Sequence, residues 1–172
     1  MERIAEFGKV SFEAFEKAVK ESMEIDDDVI RKCYDDITLP LRATSGSAGY
    51  DFYAPFDIML EPGETVKIPT GIRARMDEGW VLMIFPRSGL GFKYRLMLDN
   101  TVGIIDSDYY YSDNEGHIII KITNCSRFGS SEGKNLNIMA GQGFAQGVFL
   151  PFGITTDDEA YAVRNGGMGS TG

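Results

Sequence analysis

From Ile37 onward the chain consists of short apolar runs, each closed after a few residues by Gly, Pro, Asp or Asn. This punctuation constrains the fold more than any other feature, because it leaves room for strands and tight turns but not for long helices. Residues 38–41, 50–54, 65–69, 80–85, 102–105, 117–123 and 144–150 read as strands. Gly63, Gly71 and Gly79 recur at eight-residue spacing, which fits the regular reversals of an antiparallel sandwich or barrel. The sequences between them do not repeat, which argues against a solenoid.

Residues 1–36 carry a different pattern. Phe12, Phe15, Val19 and Met23 recur at helical spacing behind Ser11, an N-cap residue type, and Val29, Ile30, Cys33 and Tyr34 repeat the pattern behind three aspartates. Two short amphipathic helices are expected, with the Phe stripe packed on the domain or on a neighbouring subunit rather than on a cofactor. The expected organisation is a helical extension over 1–36, a β core over 37–154, and a polar tail over 155–172 whose glycine-rich end is too flexible to form a core.

A chain of 172 residues suits one domain that hides roughly 70% of the surface its unfolded form exposes, so folding needs neither a disulfide nor a metal. Cys33 and Cys125 lie far apart with no Cys-x-x-Cys spacing, which suggests no zinc site and no disulfide, and fits a reduced, cytoplasmic setting. The chain opens on no apolar leader, and no stretch approaches the roughly 18 apolar residues of a membrane span. Secretion and a membrane partner are therefore not expected. A net charge of −9 opposes a nucleic-acid partner, whose phosphates call for an extended Lys and Arg surface. A small anion held by a few Arg side chains and backbone N–H groups stays open. With His117 as the chain's one histidine, a Ser-His-Asp triad or a polyhistidine metal centre is not easily built, and acid–base work falls to carboxylates.

Residues 98–109 set Asp106 at the end of an apolar strand and Tyr109 just behind it. A carboxylate so placed is either a turn acid leading into a hairpin or a general base in a poised environment. Four further clusters have the same two-sided character. Ala48-Gly49-Tyr50-Asp51 is a turn entering a strand, or it places Asp51 to accept from metal-bound water. Pro86-Arg87-Ser88-Gly89-Leu90-Gly91 follows an apolar strand and opens a helical turn, whose N–H groups suit phosphate oxygens together with Arg87 and Ser88. Gly141-Gln142-Gly143-Phe144-Ala145-Gln146 leads into another strand, with Gln146 facing solvent or serving as a second anion donor. Arg164 and the glycines behind it are a disordered end or a lid that wraps a ligand.

In this order, over residues 37–172, the five clusters resemble the five motifs of the trimeric deoxyuridine triphosphatase (dUTPase) family. The resemblance implies an all-β fold, a distorted jelly roll or β-barrel of the β-clip type with short N-terminal α-helices. It implies a dUTP diphosphatase that hydrolyses dUTP to dUMP and pyrophosphate with Mg²⁺, by attack of water on the α-phosphorus. Asp106 would orient and deprotonate that water. Uracil would pair with backbone groups of a hairpin carrying Asn100, Gly103, Ile104 and Ile105, with a return strand passing near Ile119. The wrong base would then leave buried donors or acceptors unpaired. Tyr109 would lie under the deoxyribose and leave no room for a 2′-hydroxyl. Arg87, Ser88, Gly89 and Gln146 would hold the triphosphate, with Mg²⁺ chelated mainly by the phosphates and Asp51 reached through water. Arg164, Met168, Gly169 and Ser170 would close over it. The resemblance also implies a homotrimer, the hairpin coming from one subunit, the phosphate motifs from its neighbour and the tail from the third. It further implies a cytoplasmic role in limiting uracil in DNA and supplying dUMP for dTTP synthesis.

Three places depart from the family's pattern. The tail reads Arg164-Asn165-Gly166-Gly167-Met168, one residue shorter than usual between the Arg and the aromatic position. That position is Met168, a thioether that lies against a ring more loosely than an aromatic would. Gln142 stands where an acid is common, which questions how Arg164 is anchored. The loop 110–116 is about five residues longer than the usual turn, and could shield the hairpin, contact the N-terminal helices or simply be tolerated. Rival readings are a dCTP deaminase, with or without triphosphate hydrolysis, a phage-type regulatory protein that keeps the pocket, and a plain structural jelly roll. Deamination needs a further carboxylate beside the base, and none stands out in the hairpin.

Overall fold

Cut at its turn residues, the chain runs in the computed structural model, which describes residues 2–126, 133–162, 164 and 166, through a series of short strands. Strand β1 (Ala5–Lys9) precedes helices α1 (Phe12–Ser22) and α2 (Asp27–Asp35). Then follow β2 (Leu41–Arg42), β3 (Tyr50–Tyr53), β4 (Ile58–Leu60), β5 (Thr65–Pro69), β6 (Ile72–Met76) and β7 (Trp80–Pro86). A short helix α3 (Ser88–Tyr94) leads to β8 (Leu96–Leu98), β9 (Gly103–Ile105) and a 3-10 turn (Ser107–Tyr111). The last strands are β10 (Ile119–Asn124), β11 (Leu136–Ile138) and β12 (Gly143–Pro151).

Among the described residues every strand pair is antiparallel, in the orders β1-β6, β5-β10-β8, β11-β4 and β2-β3-β12-β7-β9. The sheets close on one apolar core that includes Ile68, Leu82, Ile84, Ile105, Ile122 and Phe144. This is the mostly β, antiparallel architecture that the strand punctuation predicts, in the jelly-roll-like form that the resemblance implies. Gly63, Gly71 and Gly79 sit at the reversals between β4, β5, β6 and β7 with φ of +94°, +71° and +82°, a region open to glycine at little cost. Gly71 is doubly required, because a Cβ there would also run into the Ile37 side chain.

The N-terminal helices form as their pattern predicts. Ser11 Oγ accepts from the Ala14 N–H at 3.1 Å, and Phe15, Val19 and Ile30 are buried in the common core. Ahead of them, however, the chain forms β1, which pairs with β6 over five residues, so α1 and α2 lie between two strands. Phe7 of β1 packs its ring 5.3–5.8 Å from those of Tyr50, Phe52 and Phe149. The strand expected at 38–41 shrinks to Leu41–Arg42, since Pro40 has no N–H to give a ladder. Strands β4, β6, β8 and β11 were not expected. Each has three to five residues, and in β6 the buried Ile72, Ala74 and Met76 alternate with Arg73 and Arg75.

The long loop between the 3-10 turn and β10 is tied to the N-terminal helices. Glu115 accepts from the backbone N–H and the hydroxyl of Ser11 at 2.8 and 2.6 Å, which together with Arg73 hold its carboxyl below the usual range. His117 is 1% exposed and its Nε2 accepts from the Gly71 N–H at 2.9 Å. Burial lowers its pKa from 6.5 to about 4. Unfolded, His117 takes up a proton near pH 6.5, whereas folded it does so only near pH 4. Its contribution to stability is therefore complete above pH 6.5 and is lost as pH falls through that window. Between pH 7.5 and 4.5 the wild-type protein is expected to lose about 2–3 kcal/mol more stability than His117→Gln, measured from urea unfolding midpoints. Equal losses would show that another group governs this range.

Candidate active site

Two clusters of polar groups form, on opposite sides of β7. At the Pro86 end, β12 lies between β3 and β7, so that Gln146 stands across from Asp51 on one side and Phe85 on the other. Arg87 leaves β7 there, its N–H donating to the Phe144 carbonyl at 3.1 Å and its Nε lying 3.3 Å from Asp51 Oδ1. Two glycines make the room: a Cβ on Gly49 would fall 2.6 Å from Gln146 Oε1, and one on Gly143 2.7 Å from Arg87 Nη1. Ser88 and Gly89 are exposed at the start of α3, where backbone N–H groups have no partner within the helix. The cluster thus presents a guanidinium, a hydroxyl, an amide and free N–H groups, a donor set suited to phosphate oxygens. Among the described residues no group of three or more His, Cys, Asp or Glu is placed to hold a metal ion. Asp51 is the carboxylate here, partly neutralised by Arg87. One such acid suits a cation whose other ligands come from an anionic ligand.

Along the other edge of β7, β8 and β9 are joined by a tight turn in which Thr101 takes φ +68°, a conformation rare for a β-branched residue. Its N–H donates to the Leu98 carbonyl at 2.9 Å, and the Val102 N–H to the Asn100 carbonyl at 2.7 Å. This turn and β10 enclose a cavity of about 500 Å³ that brings together Asn100, Gly103, Ile105, Tyr109 and Ile119, a size suited to a small ligand. Ile104 faces away: it is 49% exposed, against 2% for Ile105, so only its backbone is available to the cavity. Tyr109 is buried, its hydroxyl donating to the His117 carbonyl and accepting from Asn114 Nδ2, both at 2.8 Å.

Asp106 follows directly, half exposed, and accepts a hydrogen bond from Arg164 Nη2. The Nε of Arg164 donates to Asp108 Oδ1 at 2.9 Å, and its guanidinium carbon lies 5.7 Å from the centre of the Tyr109 ring. The tail arginine therefore sits on its own chain's carboxylates, with Gln142 taking no part. The Gln142 Oε1 instead accepts from the Met139 N–H at 3.2 Å. Met168, Gly169 and Ser170 lie outside the described residues.

Sequence reasoning missed Lys67, Asp99, Asn114 and Lys121 on the cavity wall, and Asp108 as a partner of Arg164. The signal for Asp99 and Lys121 was cross-strand pairing, which needs the register. Lys121 faces Lys67 across β10 and β5, and Asp99 takes Lys121 at 2.8 Å and the Thr123 hydroxyl at 2.5 Å. Burial pushes the Asp99 carboxyl up, but these two bonds outweigh it and hold the group below its ordinary value.

Arg87 and Asp106 are far apart within one chain. Ile105 stands across from Leu82, so Asp106 adjoins the start of β7, while Arg87 lies just past its end. At about 3.3 Å per residue the gap is on the order of 20 Å.

A family model described as dUTPase matches residues 35–172. The deoxyuridine 5'-triphosphate nucleotidohydrolase of Lactococcus lactis is 42% identical over 139 residues, 79% of this chain and 89% of that protein. The enzyme of the same name from Escherichia coli is 38% identical over 142 residues, 78% of this chain and 87% of its own. The crystal structure of the dUTPase of Streptococcus mutans superposes with a TM-score of 0.60 and 32% identity, covering 87% of this chain and 97% of the other. A variant dUTPase of phage phi11 of Staphylococcus aureus, solved for its coordination of a structural Mg(II) ion, gives 0.57 with 24% identity over 73% and 90%, a likeness of fold.

Gly103 forms part of the cavity wall against Ile84, whose Cβ would lie 3.0 Å from an added methyl. Since both residues are held in paired strands, Gly103→Ala is expected to cost about 1–3 kcal/mol in urea unfolding. A change within 0.5 kcal/mol would show that the strands can part there.

Proposed function

Because the chain belongs to the dUTPase family, we propose that its hydrolysis of dUTP is carried by these two clusters, drawn from different subunits of a homotrimer. The observation that carries this reading is the separation along β7. An α-phosphate held by Arg87, Ser88, Gly89 and Gln146 lies far from the same chain's Asp106, so a complete site needs the phosphate cluster of one copy beside the cavity of another. Uracil enters the cavity and pairs with backbone groups near Asn100, Gly103, Ile104, Ile105 and Ile119, while the ring of Tyr109 supports the deoxyribose.

Asp106 takes the proton from a water whose oxygen bonds to the α-phosphorus. As that bond forms, the bond to the bridging oxygen breaks and pyrophosphate leaves. In the free chain Arg164 occupies Asp106. A triphosphate draws the guanidinium toward itself, which frees the carboxylate to act as base and closes the tail, with Met168, Gly169 and Ser170, over the nucleotide. Mg²⁺ would be held mainly by the substrate's phosphates, with Asp51 reached through water, and would supply positive charge to offset the negative charge of the leaving pyrophosphate. A role in the cytoplasm follows, limiting uracil in DNA and supplying dUMP for dTTP synthesis. The cavity-wall acid Asp99 is engaged by Lys121 and Thr123, so no structural observation favours a deaminase.

Pyrophosphate release from dUTP, dCTP, dTTP and UTP, with and without Mg²⁺, tests reaction, base, sugar and metal together. Turnover is expected with dUTP and Mg²⁺, and its absence would end this reading. Asp106→Asn is expected to lower kcat by about 10²–10⁴-fold with KM little changed. An unaltered kcat would remove Asp106 from the role of base.

A further inference from the structure

The long loop behind Tyr109 supplies something that the chemistry of dUTP hydrolysis does not require. Exclusion of a 2′-hydroxyl by a ring is only as sharp as the ring is fixed, because a small tilt opens the needed space. Tyr109 is 2% exposed, and Asn114 reaches back five residues to donate to its hydroxyl at 2.8 Å. Asn114 also lines the cavity.

The Asn114 side chain is itself fixed at both ends. Its Oδ1 lies 2.8 Å from the Ser112 hydroxyl, which shares its one hydrogen between this oxygen and the Tyr109 carbonyl at 2.7 Å. Since the Tyr109 hydroxyl spends its hydrogen on the His117 carbonyl, only the amide nitrogen of Asn114 can face it. The backbone around it is wound into consecutive turns, with the Glu115 N–H on the Ser112 carbonyl at 2.8 Å and the His117 N–H on the Asn114 carbonyl at 3.1 Å. Glu115 takes φ +61° and Gly116 φ +71°. The first is a conformation that L residues rarely adopt, and it is kept by the two bonds between the Glu115 carboxylate and Ser11 at the head of α1. A continuous run of contacts therefore leads from the N-terminus of α1 through Glu115 and Asn114 to the edge of the Tyr109 ring.

We propose that Asn114 is a specificity-determining residue of the 110–116 loop, one that holds the Tyr109 hydroxyl so that the ring cannot yield to a ribonucleotide. This rests on the reading of the cavity as the deoxyuridine site. Asn114 acts through Tyr109 and takes no part in the bond-breaking step, so it is a positioning residue.

The test measures kcat/KM for dUTP and UTP on the purified full-length protein, with folding of each variant checked by thermal melting. Asn114→Ala is expected to raise the UTP-to-dUTP ratio about tenfold, chiefly through KM for UTP. Tyr109→Phe, which removes the hydroxyl that Asn114 grips, is expected to raise the ratio similarly. The double variant is expected to match Tyr109→Phe alone, because the Asn114 side chain then has nothing to hold. Should Asn114→Ala fail to fold, Ser112→Ala loosens the same amide and is expected to move the ratio in the same direction. A ratio that stays at the wild-type value in the folded variant, or effects that multiply in the double variant, would overturn the proposal. Absence of dUTP turnover in the wild-type protein would instead overturn the reading of the site on which it rests.

Discussion

The register of β7 is the constraint on which the rest of the molecule depends. This strand is paired on both sides, with β12 over seven residues and with β9 over three, and it alternates the fully buried Leu82 and Ile84 with half-buried neighbours. A shift of one residue against either partner would turn the core set outward. The same register places Gln146 beside Phe85 and brings Asp51, one strand further, onto Arg87. On the other side it fixes Gly103 against Ile84, and with it the wall of the cavity. Apolar burial thus sets the positions of polar groups that contribute little to the core themselves.

What the sequence made legible follows from how local each signal is. Ser11 as an N-cap, the helical stripe of Phe15 and Val19, and the glycines with positive φ depend on near neighbours, and the structure has them as expected. The fold class followed from the turn punctuation. Strands β4, β6, β8 and β11 escaped because three to five residues hold too little periodicity to stand out. Their strand character comes from partners far away in the chain, as in the pairing of Leu136 and Ile138 with Leu60 and Ile58.

The site was legible in the same uneven way. Contiguous motifs such as Pro86–Gly91 and Asn100–Tyr109 could be read directly, because a turn and its flanking strand carry both the donors and their geometry. Asp108 as an anchor for Arg164 could not, since the two are 56 residues apart. Nor could the tie between Glu115 and Ser11, 104 residues apart. Gln142 shows the converse. Its place in a motif suggested a link to the tail, yet its side chain is used to close its own turn.

Helix α1 lies against β5, which is the outer strand of its three-stranded sheet. An outer strand carries a row of N–H and C=O groups that can template pairing with a foreign chain. Here the strand ends in Pro69, which has no N–H to offer, and the helix covers it with Phe15 and Val19 buried in the common core. Helix α1 therefore also guards the sheet against unwanted strand addition, a protection that would be lost with its removal even if the remaining strands kept their pairing.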